Sequence, residues 1–229
     1  MSTPETGTTP ASAPNPIAVL GAGSWGTALA IQFARTGCPT TLWGRERTHL
    51  DQLARERRNA RYLPDAAFPE SLRIEADLGR VLHTNRDLVI AVPSHALRGM
   101  LMEIAGHGSR TMRLAWATKG FELSTGLLPH QVAEQVLGAT VPTAVISGPT
   151  FAREVGAGLP TAMTIAATDD VFARDLARCI SGTHFRAYTS TDVIGVEIGG
   201  ATKNVLAIGA GISDGLGFGA NTRIALITR

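Results

Sequence analysis

The stretch Ile17-Ala-Val-Leu-Gly-Ala-Gly-Ser-Trp-Gly26 decides how this chain is read. Four apolar residues in a row give a short strand buried on both faces. They run directly into Gly21-x-Gly23-x-x-Gly26. Behind the last glycine, Thr27–Arg35 is a run of good helix formers with an apolar face, closed by Gly37. The glycines therefore lie between a strand and a helix, the context that gives this spacing meaning. Gly21 allows a tight turn, Gly23 lets backbone approach a pyrophosphate, and Gly26 lets the helix pack close to the strand. Free N–H groups at the helix start then face the phosphates. The spacing predicts a dinucleotide site; the alternative is a plain Gly-rich turn.

Composition narrows the class. The chain has 229 residues, 44% hydrophobic and 17% charged, enough for one large or two modest globular domains with a real core. Net charge is +2 with no dense Lys/Arg run, which argues against a nucleic-acid partner. Met1–Pro16 is rich in Thr, Ser and Pro, and is expected to be a disordered tail. It lacks the basic start and apolar middle of a signal peptide, so a cytoplasmic location is expected. No window reads as the roughly 18 apolar residues of a membrane span. Cys38 and Cys179 show neither metal-like spacing nor a disulfide framework, and the six histidines have no partner spacing, so no metal is expected.

Thr40–Trp43 reads as a second strand. About 20 residues past the glycines, its tip is where the adenosine ribose is held. An NAD-selective site wants Asp or Glu there, but Gly44-Arg45-Glu46-Arg47 stands in its place. Arg45 can pair with a 2′-phosphate bidentately, so NADP(H) is expected to be accepted and preferred, with Glu46 keeping some NAD(H) use open. The plainer account of Arg45 is a solvated helix start. Glu46–Arg58 reads as a charged surface helix, Asn59–Pro64 as a loop, and Leu88–Val92 as a buried parallel strand. Ser94 is a good N-cap for a helix over 95–105; His95 is read as a first-turn surface histidine, the alternative being a place near the cofactor, since loops after strands line the crevice.

Arg113–Ala117 is a further strand. Lys119 follows its C-terminal end, where ligands gather in open α/β sheets, and there it can hold a phosphate or a substrate oxygen. Gly126–Leu137 is helical. Thr143–Ser147 is a strand that runs into Gly148-Pro-Thr150-Phe-Ala152, a second Gly/Pro-rich turn opening a helix. Thr161–Ala167 and His184–Thr189 read as strands around a helix over 170–180. The alternation implies an α/β fold, a Rossmann-type doubly wound sheet of about seven or eight strands. After Thr191 it stops. The long apolar run to Gly211 reads as a glycine-dotted helix that gains by close packing. The expected organisation is a nucleotide-binding domain over 17–190 and the start of an all-α domain over 191–229. Lys203, the single charge in the latter half of that helix, would be costly to bury unless put to use, which makes it a candidate proton carrier. The plainer account is a lysine snorkelling at a helix edge.

Six runs together resemble one family, the bacterial-type NAD(P)-dependent glycerol-3-phosphate dehydrogenases. They are Gly21–Ala28, Asn59–Pro64, Ala117–Glu122, Ser147–Ala152, Gly195–Val205 and Asp214–Arg223. The resemblance implies interconversion of dihydroxyacetone phosphate and sn-glycerol 3-phosphate, supplying phospholipid synthesis. It implies that Lys203 is catalytic, exchanging the proton at the substrate C2 oxygen. It places Gly21, Gly23, Ser24, Trp25, Gly26, Arg45, Lys119 and Ala152 at the cofactor. It places Lys119, Gly148, Thr150, Lys203 and Asn204 at the substrate. Family members run on by roughly a further third, where an Arg-Asn pair grips the substrate phosphate, so a chain ending at Leu226–Arg229 is expected to keep cofactor binding better than turnover. Two other readings stay open: a related β-hydroxyacid dehydrogenase acting on a carboxylate such as 6-phosphogluconate, and a dinucleotide-binding module without catalysis. A homodimer also stays open, since helical second domains of this kind often pair.

Overall fold

The structure, a computed structural model, describes residues 14–108 and 111–228; the expected tail falls, up to residue 13, outside the described residues. The chain opens as β1 (Ile17–Leu20), α1 (Ser24–Arg35), β2 (Thr40–Trp43) and α2 (Arg47–Glu56). A small antiparallel hairpin follows, β3 (Arg58–Asn59) and β4 (Leu63–Ala67), then β5 (Arg73–Glu75) and α3 (Leu78–Thr84). Next come β6 (Asp87–Ile90), α4 (Ser94–Gly106), β7 (Arg113–Trp116), α5 (Pro129–Leu137) and β8 (Thr143–Ser147). The last part is α6 (Ala152–Ala157), β9 (Thr161–Ala167), α7 (Asp170–Ile180), β10 (Phe185–Ser190), α8 (Val193–Gly215) and α9 (Ala220–Thr228).

Eight strands form one sheet in the order β10-β9-β8-β7-β6-β1-β2-β5. Every pair is parallel except β8 with β9, so the doubly wound sheet turns mixed at that point. The strand count falls within the expected range, although the edge strand β5 gives no apolar run to read. Two apolar layers enclose the sheet. One joins Val19, Leu29, Phe33, Leu42, Ile146 and Phe172; the other joins Leu20, Ile90, Leu101, Trp116 and Val145. Alternate residues of β1 thus feed opposite layers, which is why the strand is apolar throughout.

Several local expectations are corrected. The run 59–64 is not a plain loop but carries the hairpin of β3 and β4. Ser94 does not cap α4: Pro93 occupies the N-cap and Ser94 is the first helical residue. The surface helix α2 still buries His49, Leu50 and Leu53. The two cysteines, read as unrelated, bring their sulfurs to 2.9 Å of each other as free thiols. The long helix α8, 23 residues with an 18-residue stretch of mean hydropathy 1.2, reaches the length and apolarity of a membrane span, against the expectation of no such window. Its first half nevertheless lies on the sheet, as the contacts of Glu197 and Gly200 show.

Candidate active site

Because β1, β2, β6, β7 and β8 are mutually parallel, their C-terminal ends share one edge of the sheet. The turns leaving that edge carry Gly21–Gly26, Gly44-Arg45, Ala91-Val92, Ala117–Lys119 and Gly148–Thr150. This is the crevice where open α/β sheets hold ligands.

The glycine turn has little slack. Gly21 has φ +129°, and a Cβ there would lie 2.4 Å from the Ala91 carbonyl oxygen. A Cβ on Gly26 would lie 1.8 Å from the Gly21 carbonyl oxygen, so any side chain would push α1 off the strand. Gly23 differs: nothing among the described residues stands within 4 Å of its Cβ position. It is the N-cap of α1, and no side chain caps the helix there. The first-turn N–H groups of α1 therefore face an open cradle with no protein acceptor supplied by the cap. The indole Nε1 of Trp25 and the hydroxyl of Thr150 are buried without a hydrogen-bond partner among the described residues. The unpartnered Trp25 indole, in the first turn of α1, is a buried donor that a polar ligand would satisfy.

Asn59 lies in a run singled out by the resemblance, but no spacing shows that it holds this turn in place. Asn59, fully buried, donates its amide to the Ala22 carbonyl at 3.0 Å and to the Thr27 hydroxyl at 2.8 Å, and its Oδ1 accepts from Tyr62 N–H at 3.2 Å. The short hairpin of β3 and β4 places that side chain under the turn. The Arg45 guanidinium is exposed at the tip of β2, 3.6 Å from Glu103 on α4. A contact that long and that open to water contributes little and leaves Arg45 free to turn to an anion.

The second cluster forms where α8 meets the strand tips. A Cβ on Gly200 would lie 3.1 Å from Ser147 Oγ and 3.6 Å from Lys119 Cγ, so the helix seats on the lysine stem through its glycine. Lys119 donates to the Gly148 carbonyl at 3.2 Å. Burial, and then the charge of Lys203, holds the Lys119 ammonium below the usual lysine range. Lys203 Nζ lies 5.5 Å from the centroid of Phe151, the N-cap residue of α6. Arg35 of α1 donates to the carbonyls of Val155 and Gly156, which ties α6, and with it Ala152, to the helix that follows the glycine turn. The structure thus gathers Lys119, Gly148 and Lys203 at one place. It leaves Asn204 exposed and Lys203 half-buried, rather than the fully buried amine expected from the apolar helix. The physical reason is that the outer side of α8 is itself exposed: Val205, Ile208, Ile212 and Leu216 all stand in the open.

Glu197 of α8 is a second feature the sequence concealed. Its Oε1 accepts from Trp116 Nε1 at 2.9 Å and from His130 N–H at 3.0 Å, while Oε2 meets His130 Nδ1 at 2.5 Å. One buried carboxylate therefore pins the catalytic helix candidate to β7 and to α5.

The family model described as the NAD-dependent glycerol-3-phosphate dehydrogenase N-terminus matches residues 16–173, and the model of the C-terminus of the same enzymes matches 192–229. A glycerol-3-phosphate dehydrogenase [NAD(P)+] of Yersinia pestis (strain Pestoides F) is 54% identical over 217 residues, 94% of this chain and 64% of the relative. The chain therefore spans a little under two thirds of the length of such relatives. The crystal structure of glycerol-3-phosphate dehydrogenase from Coxiella burnetii superposes with TM-score 0.85 at 46% identity, over 94% of this chain and 66% of that one. A Plasmodium falciparum glycerol-3-phosphate dehydrogenase, at 24% identity and TM-score 0.84 over 93% and 62%, shares the fold. With both halves of the family signature present in order on one chain, the protein belongs to the NAD-dependent glycerol-3-phosphate dehydrogenase family.

Proposed function

We propose that the chain carries the nucleotide-binding unit and the proton-handling lysine of a dehydrogenase that interconverts dihydroxyacetone phosphate and sn-glycerol 3-phosphate. Residues 17–190 form the unit that holds NADP(H) or NAD(H), and 191–229 begin a helical substrate domain. The observation that carries this reading is the seating of α8, through Gly200, on the Lys119 stem, which brings two ammonium groups to the edge that also bears the glycine cradle.

In this reading the first-turn N–H groups of α1, with Ser24 and Trp25, hold the pyrophosphate, and Arg45 pairs with the 2′-phosphate of NADP(H). Lys119, Ala152 and the Gly148–Thr150 turn border the nicotinamide and substrate. NADPH, when bound, supplies the hydride that reduces the substrate carbonyl. The ammonium of Lys203 stabilises the negative charge growing on the C2 oxygen and gives that oxygen its proton; in the oxidation direction the neutral amine takes the proton back. Lys119, a second ammonium close by, attracts an anionic substrate. Asn204, next along α8, orients the substrate. A cytoplasmic site of action accords with the bacterial relatives and with two cysteines left as free thiols. Pairing of two chains through the helical unit belongs to the same reading.

The test is twofold. NADPH binding is measured by fluorescence titration in the 229-residue chain. Turnover of dihydroxyacetone phosphate is then followed in a chimera continued by the C-terminal third of the Yersinia pestis relative. Lys203→Ala is expected to reduce turnover by about a thousandfold with NADPH affinity near the parent value. Near-normal turnover by that variant would overturn the role given to Lys203, and loss of NADPH binding by the parent chain would overturn the whole reading.

A further inference from the structure

We propose that Cys38 and Cys179 form a redox modification site, which takes up two oxidising equivalents from a low-molecular-weight disulfide and closes to an intramolecular disulfide. The proposal does not depend on the function argued above. The pair lies at the N-terminal edge of the sheet, where Cys38 leads into β2, away from the crevice at the strand tips.

Four observations carry it. The two sulfurs are 2.9 Å apart although the residues are 141 positions apart in the chain. That is closer than unbonded sulfurs ordinarily pack, and less than an ångström beyond the S–S bond length of about 2.05 Å. Both backbones are anchored to the end of α1: Cys38 donates its N–H to the Phe33 carbonyl at 3.1 Å. Thr36 donates its hydroxyl to the Cys179 carbonyl, and Gln32 donates its amide to the Ile180 carbonyl at 2.9 Å. Cys38 is buried at 1% exposure, whereas Cys179, at the end of α7, is partly buried, its residue less enclosed than Cys38. The roles are therefore asymmetric: Cys179 meets an incoming reagent and Cys38 answers from inside. Two small thiols packed as ordinary core side chains would not need sulfur–sulfur contact or this division of exposure.

The charges around the pair agree with that division. A hydrogen bond from Cys38 holds the Cys179 thiol below its ordinary value against the burial and the Asp87 and Asp175 carboxylates that oppose ionisation; Arg113 adds a smaller favourable effect. The same contact, with burial, pushes the Cys38 thiol up. Cys38 also faces the Asn15 carbonyl at 3.6 Å.

The step balances as two exchanges. The Cys179 thiolate attacks one sulfur of a glutathione-type disulfide, forming a mixed disulfide and releasing one thiolate. Cys38 then loses its proton and attacks Cys179 Sγ, the mixed S–S bond breaks, and the second small thiolate leaves with that proton. Two protein thiols are oxidised and one small disulfide is reduced to two thiols.

The experiment incubates the 229-residue chain with oxidised glutathione, blocks residual thiols with iodoacetamide, and maps peptides without reduction. The expected result is one linked peptide joining Cys38 to Cys179 in monomeric protein, reversed by dithiothreitol, with a thermal midpoint raised by several degrees in the oxidised form. In Cys38→Ser a glutathione adduct should persist on Cys179, because nothing resolves it. In Cys179→Ser uptake of glutathione should slow by about tenfold or more, since only the buried thiol remains. Far-UV circular dichroism before oxidation checks that each variant is folded; should a serine variant not fold, the parent chain's peptide map decides alone. Alkylation of both cysteines after oxidation, a stable glutathione adduct on the parent chain, or linkage only between chains would overturn the proposal.

Discussion

Asn59 shows how much one side chain can decide. It has no reactive group and sits in a charged, loop-like run, yet it is the strut beneath the glycine turn. Asn59→Leu keeps the branched shape and removes both donated bonds, so the Ala22 carbonyl and the Thr27 hydroxyl lose a buried partner and Tyr62 N–H loses its acceptor. We expect a stability loss of about 1–3 kcal/mol in urea unfolding, with NADPH affinity falling at the same time. Unchanged affinity would mean the turn holds its shape without this support. Arg45 makes the opposite case: exposed, weakly paired, and free to act. Arg45→Ser should weaken NADPH binding by about tenfold or more while leaving NADH within a few-fold, because only one of the two carries a 2′-phosphate. Equal losses for both nucleotides, read by parallel titrations, would show that the guanidinium serves the fold instead.

At the scale of elements, the helices around the crevice are fastened by ion pairs as well as by apolar faces. Arg98 of α4 grips Glu122 through two bonds of 2.7 Å and also reaches Gln135 of α5 at 2.9 Å. Arg98 and the Thr125 hydroxyl lower the Glu122 carboxyl from 4.5 to about 2. The sign follows directly. A carboxyl whose pKa is depressed by folding stabilises the native state above its unfolded value and loses that contribution as the pH falls toward its folded one. Thermal midpoints of the parent chain should therefore drop more steeply than those of Glu122→Gln between about pH 4.5 and pH 2. Parallel curves for the two proteins would show that this clamp does not couple to folding.

For the whole molecule, the decisive ion pair is on the far side of the sheet. Arg113 opens β7 and meets Asp87 of β6 at 2.7 and 2.6 Å and Asp175 of α7 at 2.7 Å, stacked 4.7 Å from the Phe172 ring. Its side chain is 6% exposed and that of Asp87 4%. Arg113→Met would leave Asp87 charged and buried without its cation, at a cost of about 3–5 kcal/mol in urea unfolding. Adding Asp87→Asn should recover a good part of that loss; no recovery would argue that the arginine acts by packing on Phe172 alone.

What could be read in the linear order was whatever depends on near neighbours. The strand–glycine–helix opening, the apolar runs of the buried strands, the alternation that winds a sheet, and the glycine-dotted helix all follow from period and spacing, and those elements form where they were expected. The sequence could not show what depends on separation along the chain. Asn59 reaches a turn 37 residues back, Glu197 reaches an indole 81 residues back, and Cys179 touches a sulfur 141 residues away. None of these has a periodicity, because the partners meet only after the sheet has formed. The half-buried setting of Lys203 has the same origin: its neighbours in sequence are apolar, but its surroundings are set by which side of α8 the sheet covers.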